Sequence, residues 1–154
     1  MIVVSNTSCI SNLLSVGQES LLVHLFGEVL MPPAVEQELL RFHTGLPVFL
    51  KCAVLTDKAK LSRLCRELDP GEAEAICLAS ELKADRLLID ESVGRRVALR
   101  EGISIIGLVG VLVLAKRSGI LPAVGPVLQQ LENDAGFRLA PSLKLDALRA
   151  VGEA

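Results

Sequence analysis

Short β-branched runs alternate along this chain with longer stretches in which apolar residues recur at helical spacing, the pattern of strands alternating with amphipathic helices. Residues 2–4 (Ile-Val-Val) form the first run, which ends in the polar Ser-Asn-Thr-Ser of residues 5–8 before Ile10, Leu13 and Leu14 take up helical spacing. The pattern predicts a second helix over 19–26 stopped by Gly27, a strand over 28–31, and a helix opened by Pro32-Pro33. That helix should carry Val35, Leu39 and Phe42 on one face, with Glu36 and Glu38 off it. Residues 48–55 read as an edge strand whose start is limited by Pro47. Asp69-Pro70-Gly71-Glu72 is a strong helix start, with Asp69 as N-cap, Pro70 at the first helical position and Glu72 completing a capping box. This helix runs to about Lys83. A buried-type strand is expected over 86–89, a helix over 92–100, a strand over 104–106 and helices over 108–117, 122–133 and 142–151. No repeat, low-complexity tract or linker interrupts the order.

Strands alternating with helices imply an α/β fold, a three-layer α/β/α arrangement around a central, mainly parallel sheet with right-handed crossovers. At 154 residues one domain over 1–154 is the expectation. The composition is 51% hydrophobic with no Trp or Tyr and only four Phe, so the core is aliphatic. Folds that bind single strands by stacking bases on aromatic rings are disfavoured, and any nucleic-acid contact should go mainly through the backbone. Sixteen Lys and Arg against 18 Asp and Glu leave a net charge of −2, so polyanion binding needs a local basic patch or bridging cations. The four cysteines, Cys9, Cys52, Cys65 and Cys77, are scattered among apolar neighbours and read as reduced core residues; His24 and His43 lie outside any ligand spacing. The N-terminus reads as a strand, not a signal peptide, and Ile103–Ala115 is too short to span a bilayer, so a soluble cytoplasmic protein is expected.

Sites in open parallel sheets form beyond the carboxyl ends of the strands. The first strand delivers Asn6, Thr7 and Ser8 there, and the strand over 86–89 delivers Asp90 and Glu91. The helix after Pro33 offers Glu38, and the helix after Asp69 offers Glu72 and Glu74. Clustered carboxylates raise one another's pKa unless a cation sits between them, and hard oxygen donors select Mg²⁺ or Mn²⁺. Each acid also has a structural reading. Glu72 serves the capping box, and Glu74, about 200° around the helix, is the reserve ligand, since both cannot easily face one ion. Glu38 reads equally as a solvated helix residue and Asp90 as the N-cap of the helix at Ser92. Arg95 and Arg96 read either as phosphate contacts or as a solvated face in which Arg95 balances Asp90 and Glu91. Gly107 and Gly110 lack the company of a P-loop or a dinucleotide fingerprint.

Four segments in order carry a wider likeness: Val-Val-Ser-Asn-Thr-Ser at 3–8, Pro-Pro-Ala-Val-Glu-Gln-Glu-Leu at 32–39, Leu-Asp-Pro-Gly-Glu-Ala-Glu-Ala-Ile at 68–76 and Leu-Leu-Ile-Asp-Glu-Ser-Val-Gly-Arg-Arg at 87–96. Together they resemble the PIN-domain nucleases, in particular the bacterial and archaeal branch of VapC-type toxin ribonucleases, over nearly the whole chain. The resemblance implies a metal-dependent endoribonuclease that hydrolyses RNA phosphodiester bonds with Mg²⁺ or Mn²⁺. It also implies a toxin–antitoxin pair, with a small antitoxin protein inserting a segment into the acidic site, and a homodimer as the assembly. By the same resemblance the family's first acid falls on Asn6, the second on Glu38, the third on Glu72 and the fourth on Asp90, with Glu91 a further metal donor. Thr7 or Ser8 matches the hydroxyl after the first acid, and Ser8, Arg95 and Arg96 are the substrate-binding candidates. Asn6 departs from the pattern: it keeps a carbonyl oxygen but removes a charge, which should weaken metal binding. A degenerate PIN domain that binds RNA or protein without catalysis is the alternative. A phospho-receiver of flavodoxin-like fold would need paired acids after the first strand and a late Lys, and has neither.

Overall fold

Neighbouring residues of the central strands point to opposite faces of the sheet, and this alternation divides the molecule into layers. In the computed structural model, which describes residues 1–154, β1 (Val3–Ser5) sends Val3 into one apolar cluster and Val4 into the other. β4 (Arg86–Leu88) does the same with Leu88 and Leu87. Between them run α1 (Thr7–Ser15), α2 (Ser20–Phe26), β2 (Val29–Met31), α3 (Pro33–Phe42), β3 (Leu50–Cys52), α4 (Lys58–Leu64) and α5 (Pro70–Leu82). After β4 come α6 (Ser92–Arg100), β5 (Ile105–Ile106), α7 (Leu108–Arg117), α8 (Gly125–Asp134) and α9 (Pro141–Ala150).

The five strands form one sheet in the order β3-β2-β1-β4-β5, and every pair is parallel. The expected α/β/α layering is therefore present, with a wholly parallel sheet. Residues from α1, α2, α3, α7 and α8 build the larger core on one face; α5 and α6, with the end of α4, build the smaller on the other. The chain steps outward from β1 through β2 to β3, then returns across the opposite face through α4 and α5 to β4, on the far side of β1. The direction of winding thus reverses between β1 and β4, where the crevice of a doubly wound sheet opens. Ser5 is in register with Leu88, and Asn6 N donates to Leu88 O at 3.0 Å, so Asn6 and Asp90 leave neighbouring strands at that crevice.

Several expectations are corrected. Residues 58–64 form a helix that periodicity did not indicate, because only Leu61 and Leu64 of it touch the core; Asp57 starts it by accepting from Lys60 N at 3.0 Å. The strand proposed over 48–55 contracts to β3 at the sheet edge. The helix expected from Pro122 starts at Gly125. Phe42 lies on the predicted face of α3 but is 78% exposed, because the last turn of α3 overhangs a cleft. Cys9 and Cys77 are buried as expected, whereas Cys52 on the edge strand and Cys65 at the end of α4 are exposed. No helix is long and apolar enough to cross a membrane.

Candidate active site

A wholly parallel sheet gathers the N-termini of its helices at one edge, and each such terminus needs acceptors for its free N–H groups. Asn6 serves α1: its Oδ1 accepts from Cys9 N at 3.3 Å, and its Nδ2 donates to Ser8 Oγ at 3.3 Å. Asp69 serves α5, accepting from Glu72 N at 2.9 Å. Glu91 serves α6, accepting from Val93 N at 3.3 Å and Gly94 N at 3.0 Å. The cap of α7 is Gly107, which has no side chain, and Asp90 reaches across to accept from Leu108 N at 2.9 Å. Pro32 cannot cap α3 with a side chain, and Glu74 does so from a distance, accepting from Ala34 N at 3.0 Å. The fold therefore requires polar residues at this edge before any chemistry is considered.

These residues border a cleft of 510 Å³ lined by Asn6, Thr7, Ser8, Glu38, Asp69, Glu72, Asp90 and Glu91, among others. Five carboxylates face it, and neither Lys nor Arg does. Thr7 Oγ1 donates to Glu38 Oε2 at 2.5 Å. Glu38 also lies over Gly71, where a Cβ would stand 2.5 Å from its Oε1. Glu72 lies over Gly94 in the same way, with a Cβ there 2.8 Å from its Oε2. At Gly94 the Ile89 Cδ1 is as close, at 2.7 Å, and Gly107 makes room likewise for Asp90, so three glycines adjoin three carboxylates. Burial, followed by the Asp69 and Glu91 carboxyls, pushes the Glu72 pKa up to about 8. The neighbouring Glu91 moves the other way, because the Gly94 and Val93 amides favour its charged form. Beneath Asp90 the buried Cys9 thiol lies 3.1 Å from Oδ2; burial and then Asp90 raise its pKa, so it remains a neutral donor.

The structure brings Asn6, Glu38, Glu72, Asp90, Glu91 and Ser8 to one cleft, and separates Glu74 from it on the α3 terminus. Asp90 is not the N-cap of α6; that role belongs to Glu91, one residue nearer the helix. Only half of the capping box forms, since Asp69 accepts from Glu72 N while the Glu72 carboxyl faces the cleft. Arg95 forms no ion pair with Asp90 or Glu91: its Nη1 donates to Ile89 O at 3.0 Å, and it lies near Asp90, since a Cβ on Gly107 would stand 2.6 Å from both Arg95 Nη1 and Asp90 Oδ1; the two line an adjoining groove together. Arg96 is exposed and lines neither cavity, although its charge helps lower the pKa values of Glu67 and Glu91. Sequence reasoning treated Asp69 as a cap alone and did not single out Ser11, Asn12, Phe42 or Phe137 as cleft residues. Ser11 and Asn12 follow one helical turn after Thr7 and Ser8, a signal that was available; Phe137 carried none beyond being an aromatic in a chain with few.

The donors suit a hard divalent cation, being all oxygen and mostly carboxyl, with neither Lys nor Arg in the lining. They are not already arranged as a cage, since no group of three or more acidic, His or Cys side chains is placed to hold an ion as it stands. Glu38 stands with Thr7, Glu72 with Asp69 and Glu91, and Asp90 with Cys9.

The fold is a doubly wound parallel α/β sheet with an acid-lined cleft at its switch point. A family model described as a PIN domain matches residues 2–153, and the chain belongs to the PIN-domain family. PIN domains are generally nucleases and typically use divalent metal ions. No curated protein matches the chain.

Proposed function

We propose that this chain is a metal-dependent endoribonuclease that hydrolyses single-stranded RNA in the cytoplasm with Mg²⁺ or Mn²⁺. We further propose that it acts as a VapC-type toxin held in check by a small antitoxin and works as a homodimer. The observation that carries the reading is the cleft in which five carboxylates, and no Lys or Arg, face one another. Glu38, Glu72, Asp90 and Glu91, with the Asn6 carbonyl, are the residues that would hold a divalent ion, and the chemistry it would supply is Lewis acidity and an activated water. The protein's own part is orientation: Thr7 fixes Glu38, and the Leu108 amide fixes Asp90. The expected result is cutting of single-stranded RNA by purified chain with Mn²⁺ or Mg²⁺, abolished by EDTA. Failure of both the inhibitor-free chain and its Asn6→Asp variant to cut any RNA pool refutes the reading. Growth arrest on expression, relieved by a small protein encoded beside it, tests the toxin role.

Asn6 supports a second reading. It is 3% exposed, and both of its side-chain polar atoms are engaged in local bonds around the start of α1. A catalytically degenerate PIN domain that binds RNA or a protein would use Asn6 in this way. Calorimetry with Mn²⁺ separates the two readings: the enzyme gives a binding isotherm that Glu38→Gln weakens, and the degenerate domain gives no heat of binding.

A further inference from the structure

Beside the acidic cleft lies a groove of 860 Å³, within the range of about 300–1,000 Å³ common to small-ligand sites. The cleft and the groove share two residues, Asp90 and Phe137, so a polymer passing Asp90 enters the groove directly. The groove differs from the cleft in chemistry. Its lining is largely apolar, with Val109 and Leu143 on facing helices, and it carries two guanidiniums, Arg95 and Arg138, neither of which joins an ion pair, alongside two carboxyls, Asp90 and Asp146.

We propose that this groove is a nucleobase subsite for the RNA substrate. A nucleotide beside the scissile phosphate is splayed into it, with its base against Phe137 and the apolar lining and its phosphate toward Arg95 and Arg138. The inference rests on the nuclease reading and extends it to the class of substrate. Continuity with the cleft, the guanidiniums that the cleft lining lacks, and an aromatic at the junction point to the same occupant. A base paired in a duplex cannot turn into such a groove, so the subsite selects single strands. Phe137 is the one aromatic that lines both cavities, whereas Phe42 lines the cleft alone, so the junction has one ring for a base to stack on.

The test is fluorescence anisotropy of a labelled single-stranded RNA oligonucleotide with the full chain in EDTA, where cutting is stopped and binding alone is read. Phe137→Ala is expected to weaken binding about ten-fold, in line with loss of one base–aromatic stack. Phe137→Leu, which keeps apolar volume for the core, should lose nearly as much, and Arg138→Glu should reduce the salt dependence. In Mn²⁺, one abasic nucleotide beside the cut bond should lower kcat/KM about ten-fold in the wild type and cause little further loss in Phe137→Leu. Unchanged affinity in both Phe137 variants overturns the subsite. So does a finding by light scattering that Leu143→Glu splits a dimer while leaving RNA affinity unchanged, since the groove is then an interface between copies. A chain that binds RNA through Phe137 yet cuts none refutes the nuclease reading and leaves the subsite standing.

Discussion

Gly71→Ala should separate the site from the fold. Gly71 is the second residue of α5, and the added Cβ would stand 2.5 Å from Glu38 Oε1 and 3.1 Å from its Cδ and Oε2. Ordinary contact for a Cβ begins at 3.4 Å, so the carboxylate must retreat by roughly 0.9 Å. The moving atoms end a flexible side chain, which makes the adjustment cheap, and alanine is favoured over glycine in a helix by up to about 1 kcal/mol. Net stability should therefore change by less than about 1 kcal/mol, or a melting shift within about 4 °C for a domain of this size. Activity should respond differently, because a misplacement near 1 Å can cost about a hundred-fold in rate. The assay pairs a thermal melt with cleavage of single-stranded RNA in Mn²⁺. Thr7→Val, which removes the hydroxyl that fixes Glu38, should act in the same direction. Gly45→Ala, whose Cβ meets nothing within 4 Å, should leave cutting unchanged. A Gly71→Ala protein that melts normally and cuts within about two-fold of wild type would refute the claim that Glu38 must hold its position.

Three further outcomes follow from particular contacts. The Glu72 carboxyl, with its pKa raised to about 8, holds a proton in the metal-free folded state that the unfolded chain releases near 4.5. Its stabilising contribution is thus complete below about pH 4.5 and is lost as pH rises toward 8; Glu72→Gln should flatten that decline in metal-free melting curves, and an unaltered slope would count against it. Near the C-terminus, Glu153 accepts from Val124 N at 2.7 Å and Gly125 N at 2.9 Å and pairs with Lys116 at 3.2 Å. Those amides, then Lys116, hold its pKa below the ordinary value, so its contribution is present at neutral pH and is lost as pH falls through the lowered value. Glu153→Gln should cost about 1 kcal/mol in denaturant unfolding at pH 7 and less in acid; equal losses at both would sink the argument. Finally, Asn6→Asp adds a carboxylate to a buried corner already crowded with acids, and should lower metal-free melting while Mn²⁺ restores more stability than it does in the wild type.

How much of this was legible in the sequence depends on where the information resides. The strands through Val4 and Leu87 and the helix after Asp69 declared themselves, because buried β-branched runs and a Pro-containing cap are local signals. The helix over 58–64 did not, since it presents two leucines to the core and is otherwise charged, and tertiary packing against α5 supplies what periodicity lacked. The acids were legible as a set but not in their assignments. Sequence spacing put Asp90 and Glu91 equally near the start of α6, and which one caps it depends on Asp90 being drawn to Leu108 across the β5–α7 turn. Glu72 and Glu74 were separable by helical angle, but their partners, Glu91 on one side and Ala34 on the other, come from elements remote in sequence. The role of Gly71 and Gly94 was the least legible, because neither has a positive φ and neither sits in a turn. At Gly71 a carboxylate from another helix, Glu38, occupies the space of a side chain; at Gly94 the Glu72 carboxyl shares that space with Ile89. Acids and the glycines that admit them therefore form one unit of the site. An alanine at either position leaves every carboxylate present in the sequence and still moves one of them.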